Sequence, residues 1–235
     1  MLSLSGRMGL RTNFCQILNV LSFRRRYQVR YLVVGDSHAS FLVNNRVLAN
    51  QAYEDMWALW CGPKLLFSIG RDGLRLGNDM MRTIRFIKAT HTLFCFGEID
   101  VRTRHNLLNS EKDVQRITNS YLMSLKKFSD KYSLKSRVVL EPPPPLFFRD
   151  LIDISSDDEY PIRGNPEDRL LAHNLLAREL KLLSINYGFI FIPFPEMLKE
   201  ASGYFSDKYS YDTCHANKAA NDIWKLQIKS VLSYD

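Results

Sequence analysis

The stretch that most constrains the fold is an apolar run that ends in a sharp turn. Tyr31, Leu32, Val33 and Val34 lead directly into Gly35-Asp36-Ser37-His38. The run predicts a short buried strand, the turn follows it, and residues 39–48 favour a helix. This order places Ser37 at the carboxyl end of a strand and at a helix N-terminus, where open α/β sheets bind ligands. We therefore predict Ser37 as a nucleophile, which needs a base from elsewhere in the chain.

Strand-like and helical stretches alternate along the rest of the chain. The strand-like runs are short and apolar with little alternation, as in strands buried on both faces of a parallel sheet. Helix starts are marked by Ser110, with acids after it, and by Asn165-Pro166. The pattern predicts a three-layer α/β/α sandwich with a five-stranded, mainly parallel sheet. The five predicted strands are residues 29–34, 64–69, 92–96, 137–140 and 188–192.

Charge is concentrated at the amino end of the chain. The net charge is +7, but residues 1–35 hold six arginines and no acid, which leaves about +1 for the rest. We therefore predict one domain over residues 29–235 that is not a nucleic-acid binder, preceded by a basic leader at 1–28. The leader is open to three interpretations: a solvated tail, an amphipathic membrane-surface helix, or an organelle transit sequence.

Apolar runs, cysteine spacing and missing motifs limit the cellular location and the cofactors that we predict for this chain. No apolar run approaches the ~20 residues that span a bilayer, so no transmembrane segment is predicted. The four cysteines form no closely spaced pair, which disfavours a disulfide framework or a zinc site and favours a reducing, cytoplasmic location. No dinucleotide fingerprint, phosphate loop or metal-ligand spacing is present. Neither a metal nor an organic cofactor is therefore predicted.

A second chemical motif lies near the C-terminus, where Asp212 and His215 are three residues apart before a predicted last helix. A histidine on a loop can take a proton from a serine, and a carboxylate can hold the ring and stabilise its charged form. Alternatively, the aspartate caps the helix and the histidine is merely exposed. The motif alone is weak, and it gains weight from Ser37 at the other end of the same domain.

With these two motifs the chain resembles the SGNH (GDSL-type) hydrolases. The resemblance runs from about residue 30 to the end and implies a flavodoxin-like fold and a serine esterase without a cofactor. It implies Ser37 as nucleophile, His215 as base and Asp212 as the residue that orients His215. It also implies an oxyanion hole from the N–H groups of Ser37 and Gly70, because Gly70 ends the second predicted strand. O-acetylated carbohydrate is the substrate that the family analogy favours.

One family motif departs from its usual form. The family's Gly-x-Asn-Asp aligns with Gly97-Glu98-Ile99-Asp100, a variant also seen in SGNH-like proteins. The isoleucine cannot donate the hydrogen bond of the usual asparagine, and losing such a donor costs ~3 kcal/mol of transition-state stabilisation. Arg102 and His105 are candidate replacements or substrate contacts. The alternative is that Arg102 forms a structural ion pair with Asp100.

The remaining candidates are weaker. His38 follows the nucleophile and either lines the pocket or only starts the helix, and Glu141 ends the fourth predicted strand at the same rim. The expected partner is a small ester or an acylated glycan. Two other functions stay open: a binding protein on the same scaffold with reduced catalysis, and an acyltransferase in which a sugar hydroxyl replaces water. The sequence does not indicate an oligomeric state.

Overall fold

The protein folds around a twisted sheet of six strands in the order β2-β3-β1-β4-β5-β6. The computed structural model describes residues 28–44, 51–147, 160–212 and 214–233. Five of the strands are parallel, and the short edge strand β2 runs antiparallel to β3. The strands are β1 Tyr31–Gly35, β2 Gln51–Tyr53, β3 Met56–Trp60, β4 His91–Cys95, β5 Ser136–Leu140 and β6 Ile190–Ile192.

Helices cover both faces of this sheet. They are α1 Ser37–Asn44, α2 Leu66–Asp72, α3 Asn78–Ile87, α4 Glu98–Arg104, α5 Glu111–Lys131, α6 Pro166–Ser184 and α7 Lys218–Leu232. Single 3₁₀ turns lie at His105–Leu108, Ile185–Tyr187, Glu196–Leu198 and Asp207–Tyr209.

Two apolar cores separate the three layers. On one face, Leu32 and Val34 of β1 pack against α2 to α6, with Tyr121 and Leu176 fully buried. On the other face, Tyr31 and Val33 pack against α1 and α7. Successive β1 residues thus serve opposite cores, as strand pleating requires. The predicted three-layer α/β/α class with a mainly parallel sheet is confirmed.

The strand order fixes where a ligand can bind. Numbered among themselves, the parallel strands follow the flavodoxin-like order 2-1-3-4-5, with β1 between β3 and β4. The order reverses beside β1, so the crevice lies at the carboxyl ends of β1 and β4. Ser37 follows β1 directly, and Glu98 begins α4 just after β4.

One of the five predicted strands is wrong. Residues 64–69 lie in a loop and in helix α2, and the strand beside β1 is β3, formed by residues 56–60. The helix is capped from a distant part of the chain, because the Asp100 carboxylate accepts hydrogen bonds from the Leu66 and Phe67 N–H groups at 2.6 and 3.1 Å. A carboxylate at this position satisfies free donors of the first turn and offsets the helix dipole.

Gly70 therefore does not occupy the position predicted for it at a strand end. It lies within α2, where the helix packs on α5, and an added Cβ would lie 3.1 Å from both the Ser120 Cβ and the Tyr121 backbone nitrogen. A residue this far into a helix donates its N–H along the helix. Its lack of a side chain allows the two helices to approach closely, and we withdraw its assignment to an oxyanion hole.

Other predicted elements agree with the structure or fall outside it. Ser110 caps α5, Asn165 caps α6 with Pro166 at the first position, and Asn217 caps α7. The basic leader predicted at 1–28 lies outside the described residues except for residue 28. Residues 45–48 of the first predicted helix and residues 148–159, between β5 and α6, also lie outside them. Among the described helices, none has the length and apolar character to cross a bilayer.

Replacing Asp100 with alanine tests the cap. Asp100→Ala should lower the free energy of unfolding by about 1–3 kcal/mol, because two N–H groups at the start of α2 lose their acceptor. Asp79→Ala is the matched control: this partly exposed aspartate lies in the first turn of α3, and its loss should cost less than about 0.5 kcal/mol. Urea denaturation measures both, and equal losses would refute a capping role for Asp100.

Candidate active site

The turn that carries Ser37 depends on a very close backbone approach. A Cβ on Gly35 would lie 2.9 Å from the Ala39 Cβ and closer still to the Cys95 carbonyl oxygen, so only glycine fits here. Asp36 Oδ1 accepts a hydrogen bond from the His38 N–H at 3.0 Å and fixes the turn. Burial raises the pKa of Asp36 to about 6 against opposing interactions with His38 and Arg102. Ser37 is then the first residue of α1.

The loop that carries His215 is organised by one carboxylate. Asp212 Oδ1 accepts from the backbone N–H groups of Cys214 and His215 at 2.8 and 2.7 Å. The Tyr211 N–H donates to the His215 carbonyl at 2.7 Å and closes the loop. Asn217 anchors its far end, accepting from the Ala220 N–H at 3.1 Å and donating from Nδ2 to the Lys208 carbonyl at 3.0 Å.

These two segments bring three predicted residues into one hydrogen-bonded chain. His215 Nε2 lies 2.7 Å from Ser37 Oγ, and His215 Nδ1 lies 2.7 Å from Asp212 Oδ2. An ionised carboxylate can only accept, so Nδ1 carries the proton and Nε2 is free to accept from the serine hydroxyl. The Phe41 ring stacks on the imidazole with centroids 4.1 Å apart and holds its orientation.

The charges of this chain favour a neutral histidine beside an ionised aspartate. Burial opposes ionisation of Asp212, but its hydrogen bonds with the His215 ring and backbone outweigh burial and lower its pKa. Burial also lowers the pKa of His215, and the nearby His38 adds to this effect, against the opposing influence of Asp212. The imidazole is therefore in its basic, proton-accepting form at neutral pH.

A second layer of charge lies behind His215. Glu98 Oε2 is 3.5 Å from His38 Nε2, and Glu98 Oε1 accepts from Arg102 Nε at 3.0 Å. Burial disfavours the Glu98 carboxylate, yet Arg102 and His38 lower its pKa to about 2. Burial opposes the charged form of His38, but Glu98 and Asp36 raise its pKa. The His38 ring centroid lies 4.9 Å from that of His215, so a positive charge on protonated His38 acts directly on the imidazole.

Three side chains here offer metal-ligand atoms within 4.8 Å of one another: His38, Cys214 and His215. Cys214 Sγ lies 3.4 Å from His215 Nδ1, and burial raises the pKa of the thiol well above its usual value. Both ring nitrogens of His215 already have partners in Asp212 and Ser37. We therefore assign the histidine to the hydrogen-bonded chain and the cysteine to its packing.

Two of the weaker candidates from the sequence, Arg102 and His38, lie beside the candidate site. Arg102 lies beside the site but pairs with Glu98, and its Nη1 donates to the Tyr160 carbonyl at 2.6 Å. The predicted alternative, an Arg102–Asp100 ion pair, is wrong because Asp100 caps α2. His38 is 2 % exposed and contacts the histidine rather than an open pocket.

Glu141 and His105 belong to other parts of the structure. The Glu141 carboxylate is buried, and it accepts from the Phe194 N–H at 3.1 Å and from Lys199 Nζ at 3.3 Å. The prediction that Glu141 contacts the substrate at the rim is therefore wrong, since both carboxylate oxygens accept hydrogen bonds from residues that follow β6. The His105 ring packs directly against Gly164, whose missing side chain makes room for it.

The sequence analysis missed the glycine nearest to the serine turn. The Cys61 N–H donates to the Gly35 carbonyl at 2.8 Å, and Gly62 follows with φ +77° and open space at its Cβ position. This turn ends β3, the strand beside β1. The sequence did contain a signal for this strand end, because the apolar stretch Trp57-Ala-Leu-Trp-Cys is followed by this glycine. Ile99 is 2 % exposed within the core and offers no donor.

Comparisons with known proteins agree on the fold. No family model and no curated protein matches the sequence. A GDSL-like lipase from Bacteroides thetaiotaomicron has a similar structure, with a TM-score of 0.54, 11% identity, and coverage of 88% of this chain and 89% of the other. A catalytic mutant of an acetylxylan esterase from Geobacillus stearothermophilus gives a TM-score of 0.51, 12% identity, and coverage of 87% and 94%. The chain therefore has the SGNH/GDSL-type hydrolase fold, which it shares with ester hydrolases.

Proposed function

We propose that this protein is a serine ester hydrolase that acts through Ser37, His215 and Asp212. One observation carries the proposal: the unbroken hydrogen-bonded chain from Ser37 Oγ through both His215 nitrogens to Asp212 Oδ2, with each contact at 2.7 Å. Nucleophile, base and orienting carboxylate meet at the crevice that the strand order creates. The esterase neighbours share this fold and agree with the proposal.

The reaction follows from the protonation states. Ser37 Oγ attacks the ester carbonyl carbon while His215 Nε2 takes the hydroxyl proton, and Asp212 stabilises the imidazolium that forms. The tetrahedral intermediate collapses, the bond to the alcohol oxygen breaks, and His215 returns the proton to that oxygen. Water, deprotonated by His215, then attacks the acyl-serine, and the acid is released with Ser37 regenerated. The residues named here provide each proton transfer in this sequence.

Backbone donors are our assignment for the oxyanion hole. The Ser37 N–H opens α1 and is outside the intrahelical hydrogen bonds, and the helix dipole adds positive potential there. The Gly62 N–H belongs to the turn that ends the adjacent strand, the place for which Gly70 was first predicted. Because Ile99 lacks a donor, the Ser37 and Gly62 N–H groups carry the stabilisation in this proposal.

The substrate class is a small acyl ester, with acylated carbohydrate as the alcohol by analogy with the acetylxylan esterase. The same residues support acyl transfer if a sugar hydroxyl replaces water in the second step. The short contacts among the three side chains favour an active enzyme over a binding protein, because a binding role requires no proton-transfer geometry.

Serine-reactive labelling tests the proposal. A fluorophosphonate should label the wild-type protein at Ser37, and p-nitrophenyl acetate should be hydrolysed, because the hydroxyl is activated by His215. Ser37→Ala should abolish labelling and reduce turnover to background. Ser230→Ala, which removes an exposed hydroxyl on α7, is the control and should behave as wild type. A wild-type protein that neither labels nor turns over short acyl esters would exclude the hydrolase.

The dependence of activity on pH tests the role of His215. The base must be neutral, and its pKa is lowered below 6.5 by burial. We expect the acidic limb of kcat/KM to have its midpoint below pH 6.5, the ordinary pKa of histidine. Initial rates with a neutral ester from about pH 4.5 to 8 measure this limb. A midpoint above pH 6.5 would contradict the assignment.

His38 gives a sharper version of the same test. Its positive charge lowers the pKa of His215, so His38→Gln should shift the acidic limb of kcat/KM to higher pH. The control is His91→Gln, which also removes a buried imidazole but at the amino end of β4, where the ring stacks on Tyr31. His91→Gln should leave the limb where it is. Identical shifts in both variants would show that the effect is not electrostatic.

A further inference from the structure

A small, partly open cavity lies beside the histidine of the candidate active site. Cys214 forms part of its wall, and its sulfur lies 3.4 Å from His215 Nδ1. Glu98, 3.5 Å from His38, forms another part. The opposite walls are apolar and come mainly from Pro143–Pro145, Leu146 and Ile162. The cavity therefore adjoins the histidine of the candidate active site through Cys214.

Arg169 also lines this cavity, and within the described residues its guanidinium forms no direct ion pair. The residue is 2 % exposed and lies in the first turns of α6. Its Nη1 donates to the Gly164 carbonyl at 2.7 Å, which fixes the guanidinium. Its Nη2 is buried without a hydrogen-bond partner among the described residues. The acids that act on its charge, Glu98, Glu167 and Asp168, do so without a direct ion pair.

A buried guanidinium without a carboxylate in direct contact is unusual. Arginine keeps its charge in proteins, and a buried charge is costly unless a partner compensates for it. The other arginine of the cavity, Arg102, is paired with Glu98 at 3.0 Å. The N-terminal end of α6 adds further positive potential near Arg169. The cavity wall therefore contains a fixed positive charge whose Nη2 has no acceptor among the described residues.

We infer that this cavity binds a carboxylate of the substrate, with Arg169 as the residue that recognises it. This inference rests on the proposed ester hydrolase and specifies its substrate as an ester with a second, anionic carboxyl group. A single compensating charge suits a monoanionic carboxylate, whereas a phosphate dianion calls for more donors. The carboxylate can belong to the acyl group, as in a dicarboxylic monoester, or to the alcohol, as in a uronic acid.

Two matched substrate pairs distinguish these sources. For the acyl side, the p-nitrophenyl monoester of adipic acid is compared with p-nitrophenyl hexanoate. For the alcohol side, 4-acetoxybenzoate is compared with 4-acetoxybenzamide. Spontaneous hydrolysis is subtracted in each case. We expect the wild-type protein to prefer the anionic member of one pair by at least about tenfold in kcat/KM, because charge-assisted hydrogen bonds contribute to its binding.

Arginine variants locate the effect. Arg169→Gln should raise KM for the preferred anionic ester about tenfold or more and change kcat/KM for its neutral partner less than about threefold. Arg178→Gln is the control, because Arg178 lies on the same helix but is exposed and paired with Glu111. It should keep the wild-type preference. A preference that survives Arg169→Gln would overturn the assignment.

A wild-type measurement covers the case in which Arg169→Gln fails to fold. Raising NaCl from about 20 to 500 mM should increase KM for the anionic ester and leave the neutral ester unaffected, since chloride competes with the substrate carboxylate for the guanidinium. Equal kcat/KM for both members of both pairs, with no salt effect, would overturn the inference while the hydrolase stands. If no ester is hydrolysed and the fluorophosphonate does not label, the proposed function itself fails.

Discussion

The hydrogen bond between Ser37 and His215 joins two ends of the domain and depends on most of the fold. The residues are 178 positions apart, and their side chains meet because β1 and the loop before α7 both end at one edge of the sheet. Asp212 then makes the contact specific, because it binds the imidazole and the backbone of its own loop at once. Loss of this carboxylate would release both the ring and the loop that carries it.

The four residues of the Gly97–Asp100 motif show how one short segment serves several needs. Glu98 faces the active site and supports the charge of His38, whereas Ile99 turns into the core. Asp100 is not part of the candidate site; its carboxylate caps α2 by accepting hydrogen bonds from two backbone N–H groups. The helix geometry explains this division, because neighbouring positions on a helix point about 100° apart. Within this motif, chemistry and stability therefore fall to different residues.

Local signals predicted much of the fold and the central residues of the site. The cap residues of α5 and α6 lie next to their helices, and the motifs at Ser37 and Asp212 each fit within a few residues. The stretch at 64–69 was misassigned because a short apolar run fits a strand and a helix equally well. The residue that caps the helix there is Asp100, 34 positions from Leu66, so no local pattern contains the answer. Gly70 was misplaced for the same reason, and Arg169 was missed because its burial depends on tertiary packing.

The buried charged groups around His215 influence one another's pKa values and do not act as isolated pairs. Glu98 and Asp36 raise the pKa of His38, and protonated His38 disfavours a second positive charge on His215. Asp212 acts in the opposite direction, and in the proposed mechanism its stabilisation becomes fully available once His215 has taken the serine proton. A base must be neutral before the reaction and must tolerate a charge during it. Placing a fixed cation on one side of the imidazole and a fixed anion on the other meets both requirements without moving any residue.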